Sequence, residues 1–106
     1  MEQRRTRRFT LTLPVAITRS GAGRVSQSGR TMNISSGGVL FTSDDAIDTS
    51  GPIEYIITLA DGKEATVNLR CVGKILRYEK LDGHNGHEAY SVAATLERYE
   101  FVRSEG

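Results

Sequence analysis

Two clusters of side chains in this 106-residue sequence have the types and spacing to do chemistry. The first is Arg4-Arg5-Thr6-Arg7-Arg8, and the second is Asn33-Ile34-Ser35-Ser36-Gly37-Gly38. An arginine is a planar fork that pairs bidentately with phosphate or with the O6 and N7 edge of guanine, and it also stacks on flat rings. Asn33 offers an amide donor and acceptor, and Ser35 a hydroxyl. Gly37 and Gly38 let backbone N–H groups approach a ligand with no Cβ in the way. Forks beside a polar, glycine-containing strand end suit a guanine nucleotide. The arginines supply affinity for a polyanion, and the second cluster supplies selectivity, because a polar group left unpaired by a wrong base costs about 1–3 kcal/mol.

The elements that must position these groups are strands. Phe9, Leu11, Leu13, Val15 and Ile17 alternate with Thr10, Thr12, Pro14, Ala16 and Thr18 in the period of a half-buried strand, with Pro14 expected at an edge or a bulge. The glycine- and serine-rich stretch from Arg19 to Arg30 reads as a turn or excursion. A short strand at Met32–Ile34, with Met32 and Ile34 inward and Asn33 and Ser35 outward, then bends where paired glycines permit φ > 0, and Val39–Thr42 follows. Asp44 to Gly51 is loop. Two alternating segments, Ile53–Leu59 and Ala65–Val72, flank a hairpin turn at Asp61-Gly62, and Gly73 marks a bulge before Lys74–Tyr78. A turn over 82–87 precedes a strand at Ala89–Leu96, and Glu97 to Glu105 is expected to form a short terminal helix, with Tyr99 and Phe101 packing to cap the barrel. Many short strands with turn signals between them predict an all-β barrel or sandwich.

Charge is distributed unevenly. Residues 1–30 hold seven arginines and one glutamate, whereas residues 31–106 hold seven lysines or arginines against twelve acids. An anionic, aromatic partner near the N-terminus fits that asymmetry, and so does a solvated basic tail. No apolar run approaches the ~18–20 residues of a membrane span, and the early arginines precede no signal-type apolar core. With a single cysteine, Cys71, disulfides contribute nothing, and a reducing compartment, the cytoplasm, is expected. Cys71 shares the inward parity of Val67 and Leu69 and reads as a core residue.

The order Arg-x-x-x-Arg (Arg4, Arg8), a strand, then Asn-x-Ser-x-x-Gly (Asn33, Ser35, Gly38), with 24 residues between Arg8 and Asn33, resembles the two-part signature of PilZ domains. The pair in this order is more specific than either half. The resemblance extends over the whole chain and implies a six-stranded antiparallel β-barrel with a short C-terminal helix. It divides the chain into an arginine-rich segment over residues 1–8 and one barrel domain over 9–106. It further implies a bacterial, cytoplasmic receptor for the second messenger cyclic di-GMP, not an enzyme and without cofactor or metal, that changes conformation on binding and signals to a downstream protein. By position, Arg4 and Arg8 would wrap over the ligand, Asn33, Ser35 and Gly38 would contact a guanine from the barrel surface, and Arg5, Arg7 and Gly37 would be secondary. The sequence departs from the family pattern at Asn33, where Asp is frequent, and at Ala93, where Gly is frequent. An amide oxygen still accepts from guanine N–H groups.

Other constellations are weaker. His84 and His87 with Cys71 or Asp82 lack the spacing of a four-ligand zinc site, and Ser35 with either histidine lacks a third catalytic group. Arg77 reads as a solvent-exposed cation at the edge of reach of the ligand. The alternatives are a small barrel that binds nucleic acid or a ligand-free protein-interaction barrel. The seven Phe and Tyr side chains do not interleave with the cations, and the body of the chain is acidic, so a nucleic-acid partner is not expected.

Overall fold

The structure, a computed structural model, describes residues 12–61, 65–81 and 89–105. Seven strands follow in chain order: β1 Pro14–Ser20, β2 Gly23–Ile34, β3 Gly38–Ser43, β4 Pro52–Asp61, β5 Ala65–Leu81, β6 Ala89–Thr95 and β7 Arg98–Glu105. All pairings are antiparallel. The order β4-β1-β2-β3-β6-β5 closes through a β4–β5 pairing into a six-stranded barrel, and β7 is added outside the ring on β5. Closure leaves no edge among the six strands.

The alternation seen in the sequence is the alternation of burial. Val15, Ile17, Val39, Phe41, Ile53, Tyr55, Ile57, Cys71, Val92 and Ala94 point inward and are almost wholly removed from solvent. Phe41 and Tyr55 pack at the centre with ring centroids 5.2 Å apart, and the Tyr55 hydroxyl donates to the Thr95 carbonyl. Burial pushes the Cys71 thiol up to about 12 and raises Tyr55 as well. Cys71 is therefore a small apolar residue in practice.

Three expectations within the ring are corrected. The Arg19–Arg30 stretch is not an excursion: the turn is confined to Gly21 and Ala22, with Gly21 at φ 60° and Ser20 paired to Gly23. From Gly23 the chain is strand, and its small polar residues hid the alternation. Met32 does not point inward, because the β2 register shifts between Thr31 and Asn33 and Met32 is the extra residue, 43% exposed. Gly73 is not the bulge: it pairs with Ile53, and the shift in β5 falls between Ile75 and Arg77, at Leu76.

The terminal helix is absent, and residues 98–105 are β7, antiparallel to residues 65–72 of β5. Its sequence alternates Tyr99, Phe101 and Arg103 with Arg98, Glu100 and Val102, residues that suit a pleated edge, and the β5 edge beyond β6 supplies the ladder. Tyr99 and Phe101 do not cap the barrel. They lie exposed, edge to face with each other at 6.2 Å. Pro14 opens β1, as expected of a residue without an N–H, and the irregularity in β1 falls at Thr18. Phe9, Leu11, the Asp61-Gly62 turn at Gly62 and the 82–87 turn with both histidines lie outside the described residues.

Candidate functional site

The β2–β3 connection is a tight turn held by its own backbone. The Ser35 N–H donates to the Gly38 carbonyl at 2.9 Å, and the Ser35 hydroxyl donates to the same oxygen at 3.3 Å. The hydroxyl thus builds the turn while its lone pairs stay free to accept. The Leu96 N–H donates to the Gly37 carbonyl at 3.1 Å, fastening the turn to the end of β6.

The two glycines have different reasons to be there, and neither is in the left-handed region. A Cβ on Gly38 would stand 2.8 Å from the Ala94 carbonyl oxygen, so glycine is what lets β3 approach β6. A Cβ on Gly37 would meet nothing within 4 Å. Gly37 is the bare, exposed backbone of the turn, and Gly38 is a packing requirement beneath it.

Asn33 lies on the outer wall, opposite Leu40, while its neighbour Ile34 stands opposite the buried Val39 and packs on the core. The Met32 bulge decides this parity: Thr31 is buried, so without an inserted residue Asn33 would follow it inward. The Asn33 amide has no hydrogen-bond partner among the described residues. Across the wall, Leu40 stands opposite Ala93 of β6 and Ala93 opposite Arg77 of β5. Sequence reasoning placed Arg77 only at the edge of reach. Its membership in this row is a matter of cross-strand register, for which no local sequence signal exists.

Arg4, Arg5, Arg7 and Arg8 lie outside the described residues. The point at which their segment joins the barrel is described. The Leu13 N–H donates to the Thr31 hydroxyl at 2.8 Å, and the Thr31 N–H donates to the Leu13 carbonyl at 2.9 Å. Leu13 is therefore hooked two residues before Asn33 on β2. Beside this entry, a hollow of about 400 Å³ is lined by Pro14, Ala16, Ser28, Arg30, Thr42 and Asp44 among others. Among the described residues no group of His, Cys, Asp and Glu side chains is arranged to hold a metal ion, and no helix is long and apolar enough to cross a membrane.

A search of curated proteins and a search of solved structures return no match. A family model described as the PilZ domain matches residues 2–99, which takes in both clusters and all six strands of the ring. The chain thus belongs to the PilZ family, whose members are binding and effector domains, and is a receptor domain for cyclic di-GMP.

Proposed function

We propose that cyclic di-GMP is held on the outer wall at the β2–β3 turn, by Asn33, Ser35 and the Gly37–Gly38 backbone from below and by Arg4 and Arg8 from above. Arg5 and Arg7 are secondary cations. One guanine takes the Asn33 amide and the Ser35 hydroxyl as partners, and the guanidinium forks take phosphates or a purine face. Neither cofactor nor metal is required.

The observation that carries this reading is the hook between Leu13 and Thr31. Arg8 is five residues from Leu13, and a chain spans at most ~3.3–3.6 Å per residue, so its Cα is leashed within roughly 18 Å of a point two residues from Asn33. A leash of that length keeps Arg8 within reach of Asn33.

Ordering of the arginine segment over the ligand would alter the surface offered to a protein target, in the bacterial cytoplasm, and pass the signal on. The test is a calorimetric titration with cyclic di-GMP and, in parallel, with GMP. Micromolar or tighter binding of the cyclic dinucleotide and no measurable binding of GMP is expected. Equal binding of both, or binding of generic oligonucleotides with a steep salt dependence, would overturn the assignment.

A further inference from the structure

Two bulges, one at each end of a single cross-strand row, turn a polar side chain outward. On β2 the order is Thr31 inward, Met32 and Asn33 outward, Ile34 inward. On β5 it is Ile75 inward, Leu76 and Arg77 outward, Tyr78 inward. In a regular strand facing the same core, Asn33 and Arg77 would each have followed the inward residue two places before. Each inserted residue re-aims the side chain after it, which is what bulges beside binding sites do.

Between them the row runs Asn33, Leu40, Ala93, Arg77 over β2, β3, β6 and β5. Residues directly opposite one another in antiparallel strands share a face. At ~4.8 Å per strand the three spacings come to roughly 14 Å, part of which a long arginine side chain can cover. Arg77 is exposed and, among the described residues, no acid pairs with it. Glu79, the next outward residue on β5, stands opposite Ser91 and makes no ion pair with Arg77. Arg19 and Arg70 are by contrast both held by Glu54.

We infer that Arg77 is a specificity-determining contact of the same ligand, its guanidinium fork taking the O6 and N7 edge of the second guanine while the Asn33 amide holds the first. A cyclic dinucleotide carries its two bases at opposite ends of a ring, and the row presents a guanine-reading group at each of its own ends, with only Leu40 and the small Ala93 between. Lysine would supply the charge but not the fork. The inference rests on the cyclic di-GMP reading above and names the residue that makes it a two-base reading.

The experiment titrates wild type, Arg77→Ala and Arg77→Lys with cyclic di-GMP and with the hybrid cyclic GMP–AMP, with thermal melts as a folding control. The hybrid offers an amino donor where the second guanine has its O6 acceptor. Wild type should favour cyclic di-GMP over the hybrid by about tenfold. Arg77→Ala should lose about ten- to a hundredfold in affinity for cyclic di-GMP and bind the two ligands almost equally, and Arg77→Lys should not restore the preference. The melting temperature should stay nearly unchanged, because Arg77 is exposed. Wild-type binding that Arg77→Ala leaves intact, or a preference that survives the substitution, overturns the inference and leaves the receptor reading standing. If wild type itself binds neither ligand, that reading falls first.

Discussion

On the wall made by β1, β4 and the first half of β5, the charged side chains hold one another. Glu54, largely buried at its base, takes Arg70 through Nε at 2.5 Å and Arg19 at 3.7 Å, and Arg70 reaches on to Glu100 of β7 at 3.5 Å. Thr58 and Asn68 add a side-chain hydrogen bond on the same wall. On the wall made by β2, β3, β6 and the second half of β5, Asn33 and Arg77 hold nothing among the described residues. The barrel core behind both walls is continuous, so packing does not account for the contrast. Polar groups that satisfy one another stabilise a fold weakly and have little left to offer a ligand. Groups projected outward and left unpaired contribute almost nothing to the fold, and their hydrogen-bonding capacity is available to a partner. On the proposed reading, two walls of one small barrel separate cohesion from recognition.

The largest effect is expected where the recognition wall meets its leash. Arg8→Ala should cut affinity for cyclic di-GMP about a hundredfold, the size of two lost charge-assisted hydrogen bonds, with the melting temperature unmoved. Calorimetry and a thermal melt check both halves of that statement, and unchanged affinity would remove Arg8 from the site. A smaller loss, about tenfold, is expected for Asn33→Ala, since one half-buried amide on the outer wall is deleted. Ser35→Ala should cost only a few-fold: the turn keeps its backbone hydrogen bond to Gly38. A reversed order, with Ser35→Ala the more damaging, would mean that turn geometry rather than the amide sets selectivity.

Much of this was legible in the sequence, for reasons that differ by element. Val15 and Ile17, Ile53 to Ile57, and Leu69 and Cys71 follow a period of two, and each run became the strand it predicted. The first half of β2 was hidden because Gly23, Ser26, Ser28 and Gly29 give neither parity an apolar face; its ladder to β1 makes it a strand. β7 was misread because its charges suit a helix surface, and only the exposed β5 edge, a tertiary feature, decides otherwise. Asn33 was placed outward between an inward Met32 and an inward Ile34; Ile34 does point inward, and Met32 does not, because a bulge is a property of pairing register and leaves no mark in the chain. Arg77 joins the row through a second such bulge, so its relation to Asn33 could emerge only from the folded sheet.

The smallest effect, and the sharpest test of the contrast between walls, belongs to Glu54→Gln. The substitution keeps the shape of the side chain and removes the charge that Arg19 and Arg70 share. Arg70 is half exposed, and exposed pairs are worth about 0–1 kcal/mol, so the loss in stability read by urea unfolding should not exceed about 1 kcal/mol. Affinity for cyclic di-GMP should not change, because no group on the recognition wall has been touched. The same substitution leaves Arg19, Arg24 and Arg70 lining one hollow of about 300 Å³ with their former counter-charge gone. Weak, salt-sensitive binding of generic polyanions should therefore rise in the variant and vanish at high ionic strength, as screened contacts do. That gain would show that the wall is silent toward anions because Glu54 occupies its arginines. A drop in cyclic di-GMP affinity matching that of Asn33→Ala would instead mean the ligand spans both walls, and the division between cohesion and recognition would be lost.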